Sequence, residues 1–177
     1  MAIFGTSGAG KTTLARMLAE TSHLRHIEVD GIFHQANWMP LDDATFLARV
    51  DELTKAPRWV TDGNYSTVRP LIFQRADTIL WLDYDRSVTT RRVILRTLKR
   101  ALTREVLWNG NREALSNLVR FDPEYSVIRW SWTSHGRMRE TFAALIASGE
   151  LNHCTILRFR HPRETAAWLR GLRAPPF

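Results

Sequence analysis

The sequence predicts an α/β protein built on a parallel sheet, and two observations support this. Strand and helix signals alternate along the 177 residues, which is the pattern of a parallel sheet with helices on both faces. A glycine-rich run, Gly5–Thr12, lies between the first strand signal and the first helix signal. Its spacing is G-x-x-x-x-G-K-[ST], the pattern of a loop that binds a phosphate chain. The predicted architecture is therefore a three-layer P-loop NTPase sandwich with five parallel strands.

The elements of the first half alternate as this fold requires. A short apolar strand at 2–4 precedes the glycine-rich run, and the helix-forming stretch 13–20 follows it. A second strand is predicted at 27–30, ending in an acid. A helix is predicted over about 43–55, because an aspartate can cap it and its apolar residues share one face. Only four residues precede Gly5, so the first strand is short for the centre of a sheet and an upstream natural start is an open alternative.

The middle of the chain holds two strands and two helices. A strand at 58–62 ends in a Gly-Asn turn, and a short helix over 67–74 follows it. The strand at 77–83 is apolar on both faces, as a buried parallel strand should be. A helix is predicted over 87–103, with an apolar stripe opposite a basic arc. The stripe comprises Ile94, Leu95, Leu98, Ala101 and Leu102, and the arc comprises Arg92, Arg96, Lys99 and Arg100.

The last third is predicted to hold a loop tip, a long helix, a fifth strand and a final helix. Asn109-Gly110-Asn111 marks the loop tip. The long helix is predicted over 123–147, because a proline opens this stretch and a glycine follows it. The fifth strand is predicted at 154–159. A proline then opens the last helix, over 163–172.

The net charge is concentrated in one segment. The chain carries 22 arginines and 3 lysines, and its formal charge is +7. Residues 86–112 hold eight basic residues against one acid, Glu105, so this segment alone accounts for the whole excess. Arginine suits phosphate groups because its planar fork donates two hydrogen bonds at once. The segment predicts contact with a phosphate-bearing ligand, with a solvated helix face as the alternative for any single arginine.

Composition excludes several classes of protein. The apolar runs are far shorter than the ~20 residues of a membrane span, so no membrane partner is expected. Cys154 is the only cysteine, which rules out an internal disulfide and favours a reducing cytoplasm. The six histidines lack zinc-site spacing, so no structural metal is expected. No helix-turn-helix, zinc-finger or RNA-recognition signature is present, and a nucleic-acid partner is not favoured.

The glycine-rich run explains how a nucleoside triphosphate would be held. Its glycines let successive N–H groups point at one phosphate chain, and the following helix adds its positive N-terminal dipole. Lys11 would reach the outer phosphates, and the Thr12 hydroxyl would ligate Mg²⁺. ATP and Mg²⁺ are the expected cofactors. The predicted nucleotide-binding residues of this run are Gly5, Ser7, Gly8, Ala9, Gly10, Lys11, Thr12 and Thr13.

Three aspartates, Asp30, Asp62 and Asp83, each end a predicted strand. Ligands of open parallel sheets bind at the carboxyl ends of the strands, so we expect the three acids to converge near the glycine-rich run. Acids in that place predict Mg²⁺ binding and proton transfer, with Asp83 as the metal residue beside Thr12. Turn formation is the alternative explanation for each of them.

The order of these features resembles that of the small P-loop kinases of the adenylate kinase and shikimate kinase type. Within that group the chain resembles the DNA topology modulation proteins (FlaR-related), through stretches that span nearly its whole length. The resemblance implies one P-loop kinase-like domain over 1–177, with an arginine-rich lid at about 100–122. The matching stretches are Val29-Asp30-Gly31 through Trp38, Asp62-Gly63-Asn64-Tyr65-Ser66, 75–83, Leu107-Trp108-Asn109-Gly110-Asn111-Arg112-Glu113 and His161-Pro162-Arg163-Glu164.

The resemblance also implies roles for individual residues. Asp30 resembles the acid that activates the acceptor hydroxyl or holds the magnesium water shell, and lid arginines would neutralise the transferred phosphate. The expected catalytic residues are Lys11, Asp30, Arg100, Arg104 and Arg112. Further nucleotide contacts are expected from Arg96, Arg160 and Pro162. The expected acceptor-binding residues are Asp30, His34, Asp62, Gly63, Asn64, Tyr65 and Arg139.

Three functions are compatible with the sequence. The first is a Mg²⁺-dependent kinase that transfers the γ-phosphoryl group of ATP to a nucleoside, a nucleotide or another small metabolite. The second is a nucleic-acid-associated NTPase that affects DNA topology. Its affinity for DNA would fall steeply as the salt concentration rises. The third is a regulatory nucleotide-binding module that hydrolyses slowly. The acids and arginines expected around the glycine-rich run favour the kinase.

Overall fold

A computed structural model describes residues 1–113 and 127–173. Within these residues a five-stranded sheet forms, and each pair of neighbouring strands is parallel. The strand order β2-β3-β1-β4-β5 places the glycine-rich loop directly after the central strand, and the predicted fold class is confirmed. The strands are β1 (Ala2–Gly5), β2 (Arg25–Glu28), β3 (Trp59–Asp62), β4 (Thr78–Leu82) and β5 (Thr155–Phe159).

The described residues also form seven α-helices and two single 3₁₀ turns, Ala36–Trp38 and Trp108–Gly110. Asp42 caps the helix over Asp43–Lys55, since its side chain accepts a hydrogen bond from the Thr45 N–H at 2.9 Å. None of the described helices has both the length and the apolar character needed to cross a membrane. The helices are α1 (Lys11–Ser22), α2 (Val29–Phe33), α3 (Asp43–Lys55), α4 (Arg69–Arg75), α5 (Arg86–Thr103), α6 (Val127–Ala147) and α7 (Pro162–Arg173).

The sheet is buried on both faces, which gives the fold three layers. Alternate residues of the central strands pack to opposite sides, with Phe4 and Trp81 in one apolar cluster and Ile3 and Leu80 in the other. Phe142 of α6 stacks on Phe4 with the ring centroids 4.2 Å apart, so α6 covers the first face, and α1 covers the second. Fully burying such a side chain contributes about 1.5–3 kcal/mol, so this packing holds the helices against the sheet.

The second strand ends earlier than predicted, and this moves Asp30. β2 pairs with β3 only as far as Glu28, which lies opposite Asp62. The chain then turns into α2, and Val29 is fully buried in the core. Asp30 therefore lies in the first turn of a helix, and the prediction that it ends a strand is wrong.

α5 turns a different face to the core from the one predicted. Leu95, Leu98 and Leu102 of the predicted stripe are 55, 39 and 74 % exposed. The reason is the close approach of the glycine-rich loop, since a Cβ on Gly8 would lie 2.3 Å from the Thr89 carbonyl oxygen. Bulky leucines on this face would push the loop away. The buried residues of α5 are Thr89, Val93, Thr97 and Ala101.

Two predicted segments extend beyond the described residues. The lid at about 100–122 is described as far as Glu113, and the long helix predicted from Pro123 is described from Val127. The remaining helices and strands lie within a few residues of their predicted bounds. The organisation of the whole chain as one domain stays a prediction.

Candidate active site

The predicted phosphate-binding loop connects β1 to α1 along a left-handed backbone path. Gly8 and Gly10 have φ angles of +80° and +96°, which residues with a Cβ rarely adopt. Gly10 is the N-cap of α1, and neither a capping side chain nor an acid occupies the first turn. The first N–H groups of the helix are therefore left for a bound anion.

Lys11 lies at the floor of this loop and is half-buried. Its ammonium group donates hydrogen bonds to the carbonyl oxygens of Gly5 and Thr6, at 2.9 and 3.1 Å. Burial lowers the pKa of Lys11, and the charges of Asp30 and Asp62 act in the opposite direction. Two of the three predicted acids therefore lie close enough to act on this lysine.

The loop opens into a cleft of about 1160 Å³, which exceeds the ~300–1,000 Å³ of a typical small-molecule site. We call the part at the phosphate loop the donor half. The part formed by Asp30, His34, Trp38, Tyr65, Trp108 and Glu113 is the acceptor half. The predicted site residues that line the cleft are Ser7, Gly8, Ala9, Gly10, Lys11, Thr12, Thr13, Asp30, His34, Gly63, Asn64, Tyr65, Arg96, Arg100 and Pro162.

Seven predicted site residues lie outside the cleft lining. Arg104 ends α5 with φ +49° and is exposed, as is Arg112. The exposed Arg160 donates its backbone N–H to Glu164 at 2.8 Å. The catalytic roles of Arg104 and Arg112 and the nucleotide contact of Arg160 stay predictions. The seven residues are Gly5, Asp62, Asp83, Arg104, Arg112, Arg139 and Arg160.

Asp83 is neutralised by two arginines. Its Oδ2 accepts hydrogen bonds from Arg139 Nη2 at 2.9 Å and from Arg158 Nε at 2.9 Å. Two positive charges on one buried carboxylate argue against a role as magnesium ligand, because a cation there would meet net positive charge. The same ion pair directs Arg139 to Asp83, which argues against its predicted contact with the acceptor.

Asp62 lies almost fully buried at the end of β3, beside the strand that carries the phosphate loop. Its Oδ1 is 2.9 Å from Nε2 of His26. Asn64, two residues further on, donates a side-chain hydrogen bond to the carbonyl oxygen of Gly5. The segment after β3 is therefore tied to the start of the phosphate loop.

Asp30, Tyr65 and His34 form a hydrogen-bonded group in the acceptor half. The Tyr65 hydroxyl donates to Asp30 Oδ1 at 2.7 Å and lies 3.2 Å from His34 Nε2. Burial, and then the Asp30 charge, raise the pKa of Tyr65, so this hydroxyl stays protonated. Burial lowers the pKa of His34, which keeps the ring neutral. Asp30 is therefore held from one side by a neutral donor and keeps its second oxygen for another hydroxyl.

The arginines of α5 divide between the two halves of the cleft. Arg92 Nη1 donates to the Ala9 carbonyl oxygen at 3.3 Å, and Arg96 Nη2 donates to Ser7 Oγ at 3.4 Å. The Nε of Arg96 is buried without a hydrogen-bond partner among the described residues. Arg100, one turn further, pairs with Glu113 at 3.1 Å. The first two arginines thus face the donor half, where phosphates would lie, and the third faces the acceptor half.

An aromatic wall bounds the acceptor half. Trp108 lies over His34 with the rings at 23° and the centroids 6.0 Å apart. Trp38 stands nearly perpendicular to both rings, with its centroid 5.2 Å from that of His34 and 6.4 Å from that of Trp108. The sequence alone does not reveal this cluster, since seventy positions separate Trp38 from Trp108.

Two 3₁₀ turns hold this wall together. Asn111, which is almost fully buried, accepts from the Trp38 N–H at 2.9 Å and donates to the Gln35 carbonyl oxygen at 2.8 Å. Asn109 donates to the Gly31 carbonyl oxygen at 3.2 Å. Sequence reasoning did not place Trp108, Asn111 or Glu113 in the site. The signal was present in the Trp-Asn-Gly-Asn-Arg-Glu stretch, which carries the family resemblance.

The first turns of α7 form the wall at which the nucleotide base is predicted to lie. Pro162, Thr165 and Ala166 line the cleft there. The Thr165 and Tyr84 hydroxyl oxygens are 2.6 Å apart, which ties this helix to the end of β4. Of the two residues predicted for this role, Pro162 faces the cleft and Arg160 does not.

Gly31 provides a test of the aromatic wall. A Cβ at this position would lie 2.8 Å from Cδ1 of Trp108, so Gly31→Ala is expected to displace the indole. Overpacking of this kind costs about 1–3 kcal/mol, so we expect a lower free energy of unfolding in a denaturant titration. Gly171→Ala on α7 is the matched control, because nothing lies within 4 Å of its added Cβ, and it should gain about 0.5–1 kcal/mol. Equal effects of the two variants would contradict the observed packing of Trp108.

No protein-family model and no curated protein matches the chain. Among solved structures, the crystal structure of a gluconokinase from Sinorhizobium meliloti 1021 is similar to it, with a TM-score of 0.50 and 20 % sequence identity. The alignment covers 97 % of this chain and 91 % of that chain. At this identity the similarity shows the fold alone. This similarity in fold agrees with the parallel strand order and with the glycine-rich loop after the central strand.

Proposed function

We propose that this protein is a kinase that transfers the γ-phosphoryl group of ATP to the hydroxyl group of a small molecule. One observation carries this proposal. A single cleft joins a phosphate-binding loop to a carboxylate, Asp30, that is held by Tyr65 and stands near Lys11. An ATPase needs only the phosphate-binding loop. A phosphotransferase also needs a second part of the cleft in which an acceptor can be held and deprotonated.

The donor half supplies the groups that an ATP phosphate chain requires. N–H groups of the glycine-rich loop and the start of α1 face the cleft, and Lys11 and Arg96 add positive charge beside them. Such preorganised donors stabilise charge that spreads over the phosphoryl oxygens during transfer. We place the nucleotide base at the wall around Pro162, which lines the same cleft.

The residues of the donor half also fit Mg²⁺. Mg²⁺ keeps several waters and binds through one or two carboxylates together with substrate phosphates, so a full protein cage is not needed. No group of three or more His, Cys, Asp or Glu that could hold a metal occurs in residues 1–113 and 127–173. Thr12 lines the cleft and Asp62 lies near Lys11, and we assign the ion to these two residues instead of Asp83. When bound, Mg²⁺ neutralises the phosphate oxygens.

The proposed transfer step makes one bond to phosphorus and breaks another. The oxygen of the acceptor hydroxyl forms a bond to the γ-phosphorus, and the bond from that phosphorus to the bridging oxygen of ADP breaks. The hydroxyl proton passes to Asp30, which later releases it to solvent. Tyr65 cannot take this proton because its own proton points at Asp30, so it positions the carboxylate for the step.

The test of this function is an acceptor screen. Purified protein with saturating ATP and Mg²⁺ would be assayed for ADP release with nucleosides, nucleotides, sugars and amino alcohols, with Lys11→Ala as the blank. We expect at least one acceptor to raise ADP release well above the acceptor-free rate and to appear as a phosphorylated product. ATP binding with no acceptor-dependent ADP in the panel would contradict the proposal.

A DNA-associated NTPase, which the resemblance to the topology modulation proteins raises, is the second candidate. Its support is the group of basic side chains of the segment 86–112 that are exposed and do not line the cleft, Arg91, Lys99, Arg104 and Arg112 among them. Binding to the DNA backbone through these residues would fall steeply with salt concentration. Salt-sensitive retention of DNA in a gel shift, together with DNA-stimulated ATP hydrolysis, would favour this candidate over the kinase.

A further inference from the structure

The positive charges that line the cleft are unevenly divided between its two halves. Arg92 and Arg96 contact the phosphate loop, through Ala9 and Ser7. Lys11 donates to carbonyl oxygens of the same loop. These three cations belong to the donor half, where the phosphates of the nucleotide would engage them.

Arg100 is the cation of the acceptor half, and acids already surround it. Its Nη1 lies 3.1 Å from Glu113 Oε1, and its Nε lies 3.8 Å from Glu105 Oε1. Arg100 and Glu113 are 17 and 12 % exposed, so this pair is shielded from solvent. The second oxygen of Glu113 is buried and has no hydrogen-bond partner among the described residues.

The remaining groups do not reverse this balance. Arg16, at the edge of the cleft, pairs with Glu28 at 3.1 Å. His34 stays neutral because burial lowers its pKa. Asp30 adds a negative charge that faces the acceptor. Within the described part of the chain, the acceptor half therefore carries more acids than bases and offers no unpaired cation.

This charge pattern selects against an anionic acceptor. A carboxylate or phosphate group on the acceptor would lose its hydration and lie near Asp30 and Glu113, with no unpaired cation among the described residues of that half to offset this cost. Burying an unpaired charge in this way is how a binding site excludes the wrong ligand. A neutral hydroxyl compound avoids this cost, and a cationic one gains from the surplus acid.

The aromatic wall favours the same class of compound. Trp38, Trp108 and His34 present ring faces and edges to the acceptor half. Ring faces attract apolar surfaces and cations, since the face of an aromatic ring carries partial negative charge. The ring faces carry no positive charge that could pair with an anion.

We propose that the acceptor of this kinase is a hydroxyl compound without negative charge, neutral or cationic, that packs an apolar face on Trp38 and Trp108. This inference rests on the proposed kinase function. The transfer step is unchanged by it, with the hydroxyl oxygen taking the phosphoryl group, ADP leaving and the proton passing to Asp30.

The experiment compares acceptors matched in size and different in charge. The two series are glucose, glucosamine and gluconate, and adenosine against adenosine monophosphate, added to the panel of the acceptor screen. We expect the best acceptor by kcat/KM to be neutral or cationic, and each anion to be at least about tenfold worse than its uncharged partner. A best acceptor that is an anion would overturn the inference and leave the kinase function intact. Absence of any transfer would defeat both.

A charge variant makes the same test from the protein side. Glu113→Gln removes the acid that pairs with Arg100 and should shift the ratio of kcat/KM for anionic over uncharged acceptors upward, at least fivefold. The double variant Arg100→Gln with Glu113→Gln lacks the released cation and should not show this shift. Glu52→Gln on α3 is the control, because Glu52 is exposed and its ion pair is with Lys55. An unchanged ratio in Glu113→Gln, with the native unfolding transition retained, would overturn the assignment of Glu113.

Discussion

Replacing Lys11 with alanine is expected to weaken ATP binding and to lower phosphoryl transfer by roughly 10²–10³-fold or more. Lys11 is the lysine of the predicted phosphate loop, and its hydrogen bonds to the carbonyl oxygens of Gly5 and Thr6 brace that loop. Burial lowers its pKa, and the charges of Asp30 and Asp62 offset part of that effect. Isothermal titration with ATP and single-turnover transfer would measure the two losses separately.

Two variants control for loss of structure and loss of charge. Lys55→Ala removes an exposed lysine of α3 that pairs with Asp51 and Glu52 at 3.0 and 3.1 Å, and it should leave both measurements unchanged. Lys11→Arg keeps the charge in a planar fork that does not match the site of a single ammonium group, and should rescue little. Full activity of Lys11→Ala would remove the phosphate loop from the mechanism.

The elements that the sequence predicts well are those that depend on neighbouring residues. The glycine-rich loop is specified by eight consecutive positions, Gly5–Thr12, because glycine conformation and helix start are both local. The buried strand β4 is specified by its run of apolar residues. Parallel pairing then follows from the alternation of strands and helices, and so the fold class needed no long-range information.

The ion pairs of Asp83 could not be predicted from neighbouring residues. A strand-ending acid beside a phosphate loop has the expected position of a metal ligand. Arg139 and Arg158, which lie 56 and 75 residues later in the chain, pair with Asp83 and argue against that role. The effect of Gly8 on α5 is of the same kind, because the loop selects Thr89 for burial over the more apolar leucines only once the two segments have met.

Only part of the acceptor half could be predicted from the sequence. Asp30, His34 and Tyr65 were predicted for it, and the structure brings them together through one hydroxyl group. The second contribution comes from the segment after α5, where Asn111 bonds to Gln35 and Trp38 across more than seventy positions. An asparagine in a loop has many local uses, so only the folded chain reveals that this one joins the two segments.

Asp30→Asn is expected to lower kcat for phosphoryl transfer by about 10²–10⁴-fold, the range for loss of a general base. The substitution keeps an oxygen that can accept the Tyr65 hydrogen bond of 2.7 Å, so the side chain should hold its place. What is lost is the capacity to take the proton of the acceptor hydroxyl. The affinity for ATP should change little, because the phosphate contacts come from the loop and from Arg96.

The split between kcat and ATP affinity is what separates a base from a structural residue. Tyr65→Phe removes the donor to Asp30 while leaving the carboxylate, so it should cost less in kcat than Asp30→Asn, about 10-fold, since it disturbs position and not proton transfer. Asp85→Asn is the control, because Asp85 is exposed and its side chain makes no capping hydrogen bond at the start of α5. If Asp30→Asn weakened ATP binding as much as it lowered kcat, Asp30 would belong with the metal and phosphate contacts, and the base would have to be sought elsewhere in the acceptor half.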